Sequence, residues 1–145
     1  MEGQLIGRVP PHSIEAEQSV LGAMILDKEA INEAIEIIRP DDFYKEANAE
    51  IYEAIITLFN KNEPVDLITL SEELKRRGTL ENIGGVTYLA NLSSGVATTA
   101  NTKYYCKIVE EKSILRKLIK SSNEIMGKAY EDSEDVNVII EKAEK

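Results

Sequence analysis

From Thr98 to about Ala129 almost thirty residues pass without a proline, and Gly127 alone interrupts their helical pattern. Apolar side chains recur at Tyr105, Ile108, Leu115, Ile119 and Met126, and at Tyr104, Leu118 and Ile125. Spacings of three and four put them on one broad stripe of a single long helix. At 1.5 Å of rise per residue that helix is roughly 45 Å long, whereas a globule of about 100 residues has a radius of gyration near 13 Å. The helix is therefore predicted to overhang its own domain. After the acidic break Glu131-Asp132-Ser133-Glu134-Asp135 the pattern resumes at Val136, Ile139, Ile140 and Ala143, which predicts a return helix and a protruding antiparallel hairpin. Two helices cannot cover both of their apolar faces. Leu118, Met126, Val136, Ile139 and Ile140 are therefore expected to meet the hairpin of a second copy across a two-fold axis.

Upstream, the 3.6-residue period predicts a compact helical bundle. Pro10-Pro11 fixes an extended entry, and Ser13 can cap a helix with Glu15 and Glu17 in its first turn, where carboxylates suit the dipole. Its expected inward face is Ile14, Gln18, Leu21 and Ile25. Gly22 in mid-helix costs about 1 kcal/mol relative to alanine, which points to another helix crossing closely there. Asp27 caps a second helix that buries Ala30, Ile31, Ala34, Ile35 and Ile38 and stops at Pro40. Phe43 and Tyr44 are expected to plug the base of the bundle. A third helix, from about Glu46 to Asn60, turns Ile51, Tyr52, Ile55, Leu58 and Phe59 inward. Asp66 caps a fourth that buries Leu67, Leu70 and Leu74, with Gly78 as its left-handed terminator. Leu80 and Ile83 anchor the loop before a short fifth helix marked by Val86, Leu89 and Leu92. No stretch alternates apolar and polar residues over strand length, so the class is all-α. The expected division is a disordered tail over 1–9, a helical subdomain over 10–97 and the hairpin over 98–145.

Composition narrows the function. No apolar run approaches the eighteen residues of a membrane span, and the first eight residues lack the basic and apolar regions of a signal peptide, so a cytoplasmic protein is expected. One cysteine, Cys106, and one histidine, His12, leave no basis for a disulfide framework or a Cys/His metal site. Cys106 is taken as a packing residue rather than a redox centre. A formal charge of -9 argues against unaided, tight nucleic-acid binding. That charge is uneven: residues 1–102 carry 8 basic and 17 acidic groups, 103–128 carry 7 and 3, and 129–145 carry 2 and 6. Lys112, Arg116, Lys117 and Lys120 can present positive charge to a partner or to DNA, or form a solvated face opposing the acidic last helix. The second reading is preferred.

No G-x-x-x-x-G-K-[ST] occurs, so no nucleotide cofactor site is expected in this chain. Gly84-Gly85 is read as turn geometry rather than a phosphate nest. Asp41-Asp42 and Glu72-Glu73 have no histidine or nucleophile beside them. They are taken as solvated, with Asp41-Asp42 acting as a cap, and a hydrolase built on them is the remote alternative. The segment from Leu67 through Val86 fails as a helix-turn-helix, because the connection is too long and the second helix carries no Arg or Lys. What remains is apolar surface. Tyr88 sits opposite Leu89 and Leu92 on the fifth helix, and Ile119 and Ile125 lie on the overhang. Core and partner-docking readings stay open for all three.

The run Val9-Pro10-Pro11-His12-Ser13-Ile14-Glu15-Ala16-Glu17-Gln18-Ser19-Val20-Leu21-Gly22 closely resembles the opening of the bacterial replicative DNA helicase family, DnaB. Pro40-Asp41-Asp42-Phe43-Tyr44, Pro64-Val65-Asp66, Ile83-Gly84-Gly85-Val86-Thr87-Tyr88-Leu89, and Tyr104-Tyr105 with Ile108-Val109-Glu110-Glu111-Lys112-Ser113 follow in that family's order and spacing. The resemblance covers essentially the whole chain. It implies the N-terminal domain, assembled as a trimer of dimers into a collar on a hexameric ring around single-stranded DNA, which it touches weakly. It also implies a docking surface for the C-terminal domain of a DnaG-type primase, at positions matching Tyr88, Ile119 and Ile125, with Glu15 and Arg116 as weaker candidates. The sequence departs from the full family by stopping before the RecA-like motor, inside a helix with no glycine or proline stop, and so reads as the cut end of a longer chain. ATP, magnesium and DNA unwinding would belong to that motor. A free-standing helical regulator of the helicase, with no motor, is the alternative.

Overall fold

The computed structural model describes residues 8–132 and 135–144; the part of the expected tail in residues 1–7, and Ser133 and Glu134 of the acidic break, lie outside the described residues. Seven α-helices and one 3-10 turn follow in order: α1 (Ile14–Leu26), α2 (Lys28–Ile37), the turn Pro40–Asp42, α3 (Glu46–Asn60), α4 (Leu67–Arg77), α5 (Gly85–Ser94), α6 (Thr102–Glu131) and α7 (Val136–Glu144). No strand occurs among the described residues. The chain divides into two compact units, His12–Lys112 and the segments Met1–Pro11 with Ser113–Lys145. α6 contributes to both.

In the first unit the helix at the centre is α1. Eight of its thirteen residues are buried, among them the unbroken run from Val20 to Ile25, so it is covered on every side. It packs on α2, α3 and α5, while α4 packs on α3 and α5. Ile31 and Ala34, Ile51 and Ile55, Leu70 and Leu74, Leu89 and Leu92, and Cys106 and Val109 complete the core. Gly22 is where α5 crosses α1: a Cβ there would drive into the Leu92 carbonyl and the Val96 side chain.

The helix ends follow local chemistry. Ser13 Oγ accepts from the Ala16 N–H at 3.2 Å, and Asp27 Oδ1 from the Glu29 N–H at 3.0 Å. Asp66 and Thr69 form a reciprocal capping box, and Gly78 ends α4 in the left-handed region at φ 75°. The long helix starts at Thr102, four residues later than the apolar pattern suggested. The threonines before it bond locally instead: Thr99 Oγ1 donates to Asp27 Oδ2 at 2.9 Å, and Thr102 Oγ1 to the Thr99 carbonyl at 2.8 Å.

Three expectations are corrected. Asp42 is buried rather than solvated, and its Oδ2 accepts from the Arg39 N–H at 2.8 Å to close the 3-10 turn. Glu73 is also buried, with Arg76 and Arg77 each 2.7 Å from its Oε2, whereas its neighbour Glu72 stays in solvent. Of the two aromatics expected to plug the bundle, Phe43 does so against Tyr52, and Tyr44 stays exposed and stacks on His12 at 4.2 Å.

Candidate docking surfaces

Glu15, Gln18 and Ser19 of α1 and Tyr88, Asn91 and Leu92 of α5 line a cleft of about 250 Å³ in the first unit. Glu15 and Tyr88 are thereby brought together. Tyr88 is half-buried rather than bare. Its hydroxyl donates to Asn48 Oδ1 at 2.6 Å and accepts from Gln18 Nε2 at 3.4 Å, while Lys45 Nζ sits 4.4 Å from its ring centre. Gly84, at φ 112°, lies under the tyrosine: a Cβ there would come within 2.9 Å of Tyr88 Cβ. Asn48 is itself fully buried, and its Nδ2 donates to Glu17 Oε1 at 2.9 Å. Glu17 also accepts from the Tyr44 N–H at 2.8 Å, so this α1 carboxyl group ties down the segment leading into α3, whose N-cap residue Lys45 makes no side-chain cap. Sequence reasoning placed Glu17 at its own helix dipole and missed Asn48 and Lys45. The available signal was polar residues on apolar faces, Asn48 one turn before Ile51 and Tyr52 and Gln18 on the inward face of α1, each of which needs a partner.

In the second unit Arg116 Nη1 donates to the Pro11 carbonyl at 2.8 Å, fastening the incoming segment to α6. Residues 8–11 on one side and Arg116, Ile119, Lys120 and Glu124 on the other line a groove of about 750 Å³ with a mainly apolar wall. Arg116 and Ile119 therefore share one groove, and Ile119 is 48% exposed. Further along α6, Ile125 faces Ile139 of α7 across a cleft of about 280 Å³ that also takes Ser121 and Lys142. Leu118, Met126, Val136 and Ile140 stand exposed, together with Leu115. α7 has no buried residue. Of the basic side chains, Lys117 and Lys120 are exposed, and Lys112 is half-buried in the first unit.

The titratable groups that depart from ordinary behaviour are structural. Burial pushes the Cys106 thiol up to about 12, reinforced by the charges of Glu33 and Glu110, which keeps it a protonated packing residue. Burial likewise raises Tyr52, whose hydroxyl donates to the Ile38 carbonyl at 2.9 Å. The Arg76 guanidinium, hydrogen-bonded to Glu73 with Arg77 beside it, holds that carboxyl below its usual range against the opposing pull of burial. Among the described residues no group of three or more His, Cys, Asp or Glu can hold a metal ion, and no helix is long and apolar enough to cross a membrane.

Fold and surfaces together define an all-helical domain with exposed apolar surface. Residues 9–111 match the model of the DnaB-like helicase N terminal domain, and the chain belongs to that family. It is 46% identical over 138 residues to a replicative DNA helicase DnaB of Geobacillus stearothermophilus, covering 95% of this chain and 30% of that protein. It thus spans about a third of the length of such relatives. The crystal structure of the N-terminal domain of DnaB helicase from Mycobacterium tuberculosis superposes with a TM-score of 0.89 at 43% identity, covering 94% of this chain and 96% of that one. A DnaB-like replicative helicase, described with its interactions with primase, superposes with a TM-score of 0.72 at 28% identity, covering 88% of this chain and 30% of that one.

Proposed function

We propose that this chain is the N-terminal collar of a bacterial replicative DNA helicase and works through two contacts. One is the pairing of its hairpin with that of a second copy, three such dimers making a hexameric ring around single-stranded DNA. The other is docking of the C-terminal domain of a DnaG-type primase. The observation that carries this reading is the exposed apolar row of Leu115, Leu118, Met126, Val136 and Ile140 on a helix pair whose second helix buries nothing. An isologous contact with a second copy is the economical way to cover such a row. Primase docking draws on the relative whose interactions with primase are described and on the Glu15–Tyr88 cleft and the Arg116–Ile119 groove. ATP and magnesium are used by a motor domain outside this chain, which itself does no catalysis and holds no cofactor, and the assembly works in the bacterial cytoplasm, at the replisome, without a membrane partner.

Titrating the primase C-terminal domain into Tyr88→Ala, Ile119→Ala and Ile125→Ala tests the docking assignment. Each is expected to bind about tenfold more weakly or worse, as truncation of a buried anchor does. Parent-like affinity in all three would sink it.

A further inference from the structure

We infer that Asn48 and Glu17, neither of which reaches the partner, are positioning residues for the Tyr88 contact, because a relay of hydrogen bonds starting at the Glu17 carboxylate dictates how the tyrosine is held. The inference rests on the docking reading of Tyr88 given above.

The direction of each bond follows from the first. Glu17 is 1% exposed, and both of its carboxyl oxygens are occupied as acceptors: Oε2 takes the Tyr44 N–H at 2.8 Å, and Oε1 takes the Lys45 N–H at 3.4 Å and an Asn48 N–H at 2.9 Å. Asn48 must therefore turn its NH2 toward Glu17, which leaves its carbonyl oxygen for the Tyr88 hydroxyl at 2.6 Å. That hydroxyl must donate there, and its lone pairs are left for the Gln18 amide at 3.4 Å. With its proton committed inward, Tyr88 offers a partner its ring and not a hydrogen-bond donor. The ring is itself fixed by Lys45 above it and by Gly84 against its Cβ. Tyr88 and Glu15 line the same cleft, so an incoming side chain meets a tyrosine already immobilised by residues 31 and 40 positions away in sequence from their hydrogen-bond partners. Preorganisation of this kind removes an ordering cost from the binding step.

Isothermal titration of the primase C-terminal domain into the chain and into Tyr88→Ala, Asn48→Ala, the double variant and Glu17→Gln separates the possibilities. Asn48→Ala is expected to weaken binding about three- to tenfold, the range set by freeing one ordered side chain. Because Asn48 acts through Tyr88, the double variant should bind no more weakly than Tyr88→Ala alone. Glu17→Gln keeps the shape but lets Asn48 reverse its amide, and should weaken binding as Asn48→Ala does. Wild-type affinity in Asn48→Ala, or losses that multiply in the double variant, would overturn the inference while leaving Tyr88 a contact. Wild-type affinity in Tyr88→Ala would overturn the docking reading and the inference with it. Should thermal melting show Asn48→Ala unfolded, Tyr88→Phe takes its place: it removes only the hydroxyl and should bind about threefold more weakly, and unchanged affinity would be equally fatal.

Discussion

Arg77 of α4 donates to Glu73 on its own helix at 2.7 Å and to Thr57 Oγ1 on α3 at 2.7 Å, with Glu50 of α3 at 3.3 Å, so one guanidinium ties two helices together. The partner that makes this possible is Glu73, nearly buried and bonded to both Arg76 and Arg77. The spacing of 73, 76 and 77 was readable as helical ion pairs. Helical spacing sets Glu73, one turn past the inward Leu70, apart from Glu72 on the opposite face, but not which side chains of α3 the ion pair reaches, because that depends on how α4 is rotated against α3. The Asn48–Tyr88 link was hidden for the same reason: polar residues on apolar stripes announce a need for partners but not their identity. Because the hydrogen bond from Arg76, with Arg77, keeps the Glu73 carboxyl below its unfolded value, the stability it confers is fully present above the ordinary glutamate range near 4.3 and is lost as pH falls through the lower folded value. Glu73→Gln should cost about 1–3 kcal/mol at pH 7 by urea unfolding, and the deficit should shrink at pH 3. A deficit unchanged between those two pH values would show that packing, not the charge, is what Glu73 contributes.

Helix ends governed by their own residues, at Ser13, Asp27, Asp66 and Gly78, were legible because a cap is a contact over two or three positions. The start of α3 was read correctly at Glu46 without a cap, and what the sequence hid is that the segment before it is held by Glu17 of α1, which accepts from the Tyr44 N–H. Periodicity also gave the long helix prominence and understated α1. A stripe is visible only on a helix with one wet face, and α1, buried on every side, shows none. Its glycine was the better clue. Gly22 marks the α1–α5 crossing, where the Leu92 carbonyl and Val96 leave no room for a methyl group. Gly22→Ala, which a solvent-facing helix would welcome, should instead destabilise by about 1–3 kcal/mol through overpacking, read as a lower urea midpoint at unchanged slope. A raised midpoint would mean that the two helices part at little cost.

Charge separates the two units as clearly as contacts do. His12–Lys112 holds 10 basic and 18 acidic side chains, a net -8, which leaves only -1 of the chain's -9 on the hairpin unit. Two copies meeting through the bundles would face strong mutual repulsion; through the hairpins they would face little. The nearly neutral unit is also the one whose apolar row of Leu118, Met126, Val136 and Ile140 lies exposed. Charge and hydrophobicity therefore favour the same surface for self-association, and they make opposite forecasts about salt. If apolar burial drives dimerisation against residual like charge, raising sodium chloride from about 50 to 500 mM should leave it unchanged or tighten it by no more than about threefold, as the Debye length contracts. If instead the basic side chains of α6 clasp acidic ones on the partner, the same change should loosen the dimer by tenfold or more. Sedimentation equilibrium over a concentration series measures both, and Leu118→Asp with Ile140→Asp supplies the control. Placing a carboxylate in the row should abolish association at either salt concentration while the bundle's melting is retained. A dimer that survives both substitutions would have to form elsewhere.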